Sequence, residues 1–192
     1  MKIHLFGQGA FNFNVALIGA NTCFMSNCRS DIPCVWKKFR QSNLSGKVAL
    51  SLSTWIGTGL LPVMPGTFGT LAAVPLILLL DNLGAIYKLL ILMTAIAVAI
   101  WASGMHQKLL DQSDPREIVI DEVAGFLLTM LFLPCSWLTI SLGFIFFRFF
   151  DILKPYPIKQ LEKLRGGFGV VIDDLAAGLY ANIIVRIILL IY

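Results

Sequence analysis

Two short acidic motifs stand out in a chain that is otherwise strongly apolar. The sequence "DEVAG" contains Asp121 and Glu122, and "DDLAAG" contains Asp173 and Asp174. A carboxylate removed from water is costly unless it is paired with a cation, bound to a metal or protonated. Small residues follow the acids on the same helical face and would let another helix, or a substrate, approach closely. The two motifs therefore predict up to four carboxylates around one site.

Carboxylate oxygens without a histidine or thiolate partner favour a hard cation, for which Mg²⁺ is the best match. The alternative is an acid pair at a helix N-terminus, stabilised by the helix dipole. Either pair alone fits that alternative. The repetition of the same local pattern favours a shared metal site.

A third motif, "FRFFDILKPYP", places Arg148, Asp151 and Lys154 three residues apart. They form one stripe on a helix that ends before Pro155. Asp151 can join or orient the metal ligands, and the two bases can bind phosphoryl oxygens. The alternative is an ion pair beside a lysine whose charged end reaches the membrane interface.

A fourth motif, "GTGLLPVMPGTFGT", combines glycines and threonines in a turn before a helix. Its backbone amides could accept an anion at the helix N-terminus. It lacks the Gly-Lys-Ser/Thr ending of a nucleotide-binding loop, so no nucleotide is expected. A tight turn without a ligand is the alternative. The candidate substrate-binding residues here are Gly57, Thr58, Gly59, Gly66 and Thr67.

Side-chain nucleophiles are poorly represented. The chain has no Gly-x-Ser-x-Gly motif, Cys135 follows Pro134 in a short loop, and His106 is expected at the surface. A metal-activated water is the attacking group that remains.

The composition indicates what must position these residues. Hydrophobic residues make up 57% and charged residues 14% of the chain, a bias typical of membrane proteins. Apolar segments alternate with glycine- and proline-marked breaks and show no strand alternation, which predicts an all-α, compact multi-helix bundle with several transmembrane or re-entrant helices. Segments 85–102 and 175–192 are the best candidates to span a bilayer, and segments 68–80, 118–133 and 137–150 are shorter.

Charge distribution predicts the orientation and the partners. Lysine and arginine cluster before the first apolar segment and again in the loop 151–169, which favours a cytoplasmic location for both. The basic loop suits an anionic membrane surface or an anionic substrate, and no nucleic acid is expected. Residues 1–45 are expected to form a polar, irregular leader, and residues 46–192 the helical catalytic domain.

Together, and in this order, the four motifs closely resemble the phosphatidylglycerophosphatase A family over residues 50–185. The resemblance implies a Mg²⁺-dependent phosphatase of the bacterial inner membrane that converts phosphatidylglycerophosphate to phosphatidylglycerol and phosphate. Family members often carry tryptophan where this chain has Tyr156, another ring suited to a membrane interface. The residues it implies as catalytic are Asp121, Glu122, Arg148, Asp151, Lys154, Asp173 and Asp174, and the metal ligands would come from the five acids among them.

Two other functions compete with this interpretation. A membrane cation carrier would explain the paired acids and the hydrophobicity, but not the basic stripe or the "PGTFGT" turn. A CDP-alcohol phosphotransferase would need an extended aspartate motif that the sequence does not contain.

Overall fold

The computed structural model describes residues 32–112, 115–161, 164 and 166–191. Within these ranges the chain is helical and has no β-strand, which confirms the predicted all-α fold. The helices are α1 (Ile32–Gln41), α2 (Leu44–Ser53), α3 (Pro65–Leu80), α4 (Ala85–Leu110), α5 (Ile120–Thr129), α6 (Trp137–Leu153), α7 (Ile158–Leu161) and α8 (Gly167–Ile191), with a 3₁₀ turn at Thr58–Leu60.

Helices α4 and α8 are long and apolar enough to cross a membrane. They contain 26 and 25 residues, with mean hydropathies of 2.1 and 1.9 over their most apolar windows. Only 17% and 33% of those windows are buried, whereas the core helix of a soluble protein would be mostly buried. Both coincide with the segments predicted to span, and their exposed apolar surfaces indicate a membrane-associated protein.

The short helix α5 lies at the centre and packs against α3, α4, α6 and α8. Its contact with α8 is very close because glycines face each other there. A Cβ atom on Gly125 would lie 2.7 Å from the carbonyl oxygen of Asp174, and one on Gly178 would overlap the carbonyl oxygen of Gly125. The small residues beside the acids thus have the helix-packing role that the sequence predicted.

Polar side chains of α8 complete the C-terminal end of α5. Asn182 Nδ2 donates to the carbonyl oxygen of Thr129 at 2.7 Å, and Arg186 Nη2 donates to that of Leu131 at 2.8 Å. Carbonyl groups at a helix C-terminus have no partner within the helix, and a cation there also complements the helix dipole. These contacts anchor one end of α5, whose other end carries Asp121 and Glu122.

Helix α1 overlaps the segment expected to be irregular, so that expectation is wrong for residues Ile32–Gln41. The preceding residues 1–31 lie outside the described part of the chain. Val35 of α1 packs with Leu110, the last residue of α4. The basic residues of α1 therefore lie near the C-terminal end of α4.

Candidate active site

A single cleft collects the catalytic candidates from three helices and the residue after α6. Its volume is about 790 Å³, within the range of roughly 300–1,000 Å³ that is usual for small-molecule sites. Helix α5 provides two acids, α6 and its C-cap provide the stripe, and α8 provides two acids. The predicted residues that line it are Asp121, Glu122, Arg148, Asp151, Lys154, Asp173 and Asp174.

The acids of α5 occupy its first turn. The Glu122 amide donates to Asp121 Oδ1 at 2.9 Å, and Thr70 Oγ1 donates to Glu122 Oε2 at 3.1 Å. Burial raises the pKa of Glu122 to about 7, although Arg148 acts in the opposite direction. Burial, reinforced by the charge of Glu122, raises the pKa of Asp121 well above its usual range. Burial thus disfavours the charged form of both acids.

The acids of α8 lie beyond its first turn, so the helix-dipole alternative does not apply to this pair. Asp173 Oδ2 accepts a hydrogen bond from Lys154 Nζ at 2.8 Å. Its Oδ1 atom is buried and has no partner among the described residues. Asp174 is 5% exposed and forms no ion pair with any described basic residue. A buried carboxylate oxygen without a partner is costly and suggests that a ligand is bound there.

The basic stripe ties α6 to the other two helices. Arg148 Nη1 lies 2.6 Å from Asp151 Oδ2 and 3.1 Å from Glu122 Oε1. The side chains of these three residues are 14–17% exposed, so neither ion pair is a solvated surface contact. Helix α6 ends at Leu153, and Lys154 then adopts a left-handed conformation with φ 42°. That turn places the lysine beside Asp173.

The chemistry of the cleft fits a hard divalent cation. Five carboxyl groups and three basic side chains line it, a formal excess of two negative charges if all ionise. An anionic substrate would be repelled unless a cation compensated this excess. No three histidine, cysteine, aspartate or glutamate side chains in the described ranges are already arranged as ligands of one ion. Glu122 and Asp173 instead face Arg148 and Lys154, so cation binding requires acid side chains to reorient.

Only part of the glycine-rich motif reaches the cleft. Gly66, at the start of α3, lines it and lies so close to Glu122 that a Cβ atom would overlap the carboxylate. The N-cap of α3 is Met64, which forms no side-chain capping bond, and Pro65 follows it. Met64 therefore leaves the first turn of α3 without a side-chain cap, and uncapped amides at a helix N-terminus are groups that can bind an anion.

The rest of that motif has structural contacts. Gly57 has φ +94° and borders a separate groove beside α1. Thr58 Oγ1 donates to the carbonyl oxygen of Thr54 at 3.2 Å. Gly59 packs against the carbonyl group of Glu117. These residues and Thr67 are not among those that line the cleft.

The sequence interpretation was wrong about the position of one residue and did not include another. His106 is fully buried rather than at the surface, with Nδ1 2.6 Å from Ser53 Oγ. Arg116 lines the cleft but was not assigned. Its position shortly before Asp121 in "DPREIVIDEVAG" was the available indication.

Comparison with known proteins gives consistent matches. The family model described as phosphatidylglycerophosphatase A matches residues 51–189. A protein of that name from Escherichia coli is 36% identical over 66% of this chain and 75% of its own length, and one from Haemophilus influenzae is 40% identical over 70% and 84%. A Bacteroides thetaiotaomicron protein, provisionally named a phosphatidylinositol-3-phosphatase, is 32% identical over 71% and 90%. No solved structure matches.

Proposed function

Because the chain belongs to the phosphatidylglycerophosphatase A family and is a phosphatase, we propose that it converts phosphatidylglycerophosphate to phosphatidylglycerol and inorganic phosphate. The observation that carries this proposal is the cleft, which combines buried carboxylates with basic side chains in a membrane-associated chain. In this role the protein would supply phosphatidylglycerol for phospholipid synthesis.

The residues of the cleft have complementary tasks in such a reaction. Arg148 and Lys154 would bind the non-bridging oxygens of the terminal phosphate, where charge accumulates during transfer. The Gly66 amide at the start of α3 would contribute a further donor. Water attacks phosphorus, the bond from phosphorus to the glycerol oxygen breaks, and that oxygen takes up a proton to become the alcohol of phosphatidylglycerol.

The five acids of the cleft would hold Mg²⁺, with ligands drawn from Asp121, Glu122, Asp151, Asp173 and Asp174. When bound, the cation polarises the phosphoryl group and lowers the pKa of a bound water. The support is the oxygen-only donor set, the Oδ1 atom of Asp173 that has no partner among the described residues, and the negative excess of the cleft.

Phosphate release by the purified protein tests both parts of this proposal. In detergent micelles we expect release from phosphatidylglycerophosphate with Mg²⁺ and none after exhaustive chelation, with recovery when Mg²⁺ is restored. Phosphatidylinositol 3-phosphate is the comparison substrate, and faster turnover of that lipid would reassign the headgroup. Activity that survives chelation would contradict the metal requirement.

A cysteine variant supplies the control for that experiment. Cys135 lies at a small cavity beside Asp81 and Lys88, and it does not line the cleft. Cys135→Ser is therefore expected to keep wild-type turnover. Loss of turnover would point to thiol chemistry, and an absence of turnover in wild type on both lipids would favour the cation carrier.

We further propose that the protein lies in the bacterial inner membrane with the cleft facing the cytoplasm. Gln107, near the C-terminal end of α4, lines the cleft, and α1 packs at that same end through Val35. With α4 spanning the bilayer, the cleft and the basic residues of α1 would therefore lie on one side of the membrane. An excess of lysine and arginine marks the cytoplasmic side.

Labelling of single cysteines in intact cells tests this orientation. In a background whose four native cysteines are replaced by serine, Lys38→Cys and Lys159→Cys are expected to resist a membrane-impermeant maleimide. Asn82→Cys, in the turn before α4, is the control and is expected to react. The reverse pattern would place the cleft outside.

A further inference from the structure

Arg116 is a basic residue of the cleft that has no ion-pair partner among the described residues. Three basic side chains line the cleft: Arg148 pairs with Glu122 and Asp151, Lys154 contacts Asp173, and Arg116 is the third. Arg116 is exposed and forms no ion pair with any carboxylate that the structure describes. Its guanidinium group is therefore available to an anionic ligand.

The backbone that carries Arg116 is held firmly. The Ile118 amide donates to the carbonyl oxygen of Pro115 at 3.2 Å, which closes a turn around Arg116 and Glu117, and the Val119 amide donates to that of Ser53 at 2.9 Å. The other residues of the turn are buried, and Arg116 alone is exposed between them. Gly59 packs against the carbonyl group of Glu117 from the other side. The turn thus fixes the backbone of Arg116 beside the cleft, so that only the side chain has to be ordered when a ligand binds.

The ligand chemistry follows from the proposed function, on which this inference rests. Phosphatidylglycerophosphate carries a terminal phosphomonoester and a phosphodiester that joins its glycerol to the diacylglycerol. The half-buried bases Arg148 and Lys154 suit the monoester at the reacting end. The diester lies nearer the acyl chains and needs a separate cation. An arginine can donate two parallel hydrogen bonds to the two non-bridging oxygens of such a phosphate.

We infer that Arg116 binds the phosphodiester of the lipid substrate and so determines specificity for lipids that contain both phosphate groups. It would contact substrate away from the reacting phosphorus atom. Its contribution therefore belongs to binding, and a lipid with a monoester alone, such as phosphatidic acid, would gain nothing from it.

The test compares Arg116→Ala with wild type on phosphatidylglycerophosphate and on phosphatidic acid. We expect KM for phosphatidylglycerophosphate to rise by about ten- to a hundredfold, as for loss of hydrogen bonds to a charged group. We expect kcat to change little, and the parameters for phosphatidic acid to stay at their wild-type values. Arg116→Lys keeps the charge without the two parallel donors, so its KM for phosphatidylglycerophosphate should lie between those of wild type and Arg116→Ala.

Product inhibition provides a second readout, independent of turnover on phosphatidic acid. Short-chain phosphatidylglycerol contains only the diester, and its inhibition constant should rise in Arg116→Ala. Inorganic phosphate mimics only the monoester, and its inhibition constant should not change. Lys108→Ala removes the same charge from an exposed residue that does not line the cleft, and it should match wild type throughout.

The outcomes separate this inference from the proposed function. If wild type releases phosphate from phosphatidylglycerophosphate but Arg116→Ala is unchanged, this inference alone is wrong. Three other results would also overturn it: an equal rise in KM for both lipids in Arg116→Ala, weaker inhibition of that variant by phosphate, or the same rise in KM in Lys108→Ala. If wild type releases no phosphate from that lipid, the proposed function fails and this inference fails with it.

Discussion

Asp121→Asn and Asp174→Asn are each expected to reduce turnover by about a hundred- to a thousandfold, the loss expected when a dication contributing several kcal/mol is weakened or misplaced. Both carboxylates are buried in the cleft, and neither forms an ion pair with a described basic residue. A neutral amide keeps nearly the same size but binds a hard cation poorly. Turnover on phosphatidylglycerophosphate with Mg²⁺ measures the effect.

The stability of these variants should change in the opposite direction. Without a cation, each substitution removes one charge from a cluster of buried acids, so the free energy of unfolding should hold or rise. Mg²⁺ should raise the Tm of wild type because it binds the folded state, and this shift should shrink in both variants. Thermal unfolding in detergent with and without Mg²⁺ gives this readout independently of activity.

A matched control and a clear contrary outcome are available. Asp81 follows α3, pairs with Lys88 at 3.7 Å and does not line the cleft, so Asp81→Asn should keep both turnover and the Mg²⁺-dependent shift. If Asp121 only stabilised the start of α5, asparagine would replace it with little loss, since both residues serve well at helix N-termini. Near-wild-type turnover in both variants would remove these acids from the site.

The clustering of the acids could be predicted from the sequence, because helical periodicity places an acid and a small residue on the same face of each helix. Asp174 and Gly178 share a face of α8, and Gly125 shares a face with Asp121 on α5. The structure packs these faces against each other. The same periodicity predicted the stripe of Arg148 and Lys154, both of which line the cleft. Local spacing therefore defines the site wherever its residues lie on helices.

Contacts between distant segments were not predictable in this way. The burial of His106 depends on Ser53 of α2, and the cap of α5 depends on Asn182 and Arg186 of α8. No periodicity relates these pairs. The Gly57–Gly59 turn has the composition of an anion-binding loop, yet it packs against the backbone at Glu117. Glycine content alone does not show whether a close approach serves a ligand or another part of the chain.

Gly178→Ala is expected to reduce both stability and turnover, because the added methyl group would overlap the carbonyl oxygen of Gly125. Backbone cannot move aside as the end of a flexible side chain can, so α5 and α8 must separate. Such overpacking costs about 1–3 kcal/mol. Separation also moves Asp121 away from Asp174, and small misplacements at a catalytic site reduce turnover strongly.

Gly104→Ala is the matched control, since it makes the same substitution inside another long helix. A Cβ atom there would lie 3.6 Å from the Gly167 amide nitrogen, an ordinary van der Waals distance. Alanine has a higher helix propensity than glycine, so this variant should be unchanged or up to about 1 kcal/mol more stable. Thermal unfolding in detergent and turnover with Mg²⁺ compare the two variants. Equal stability and equal turnover of the two variants would mean that the close approach of α5 and α8 at Gly178 is not needed to hold the acids together.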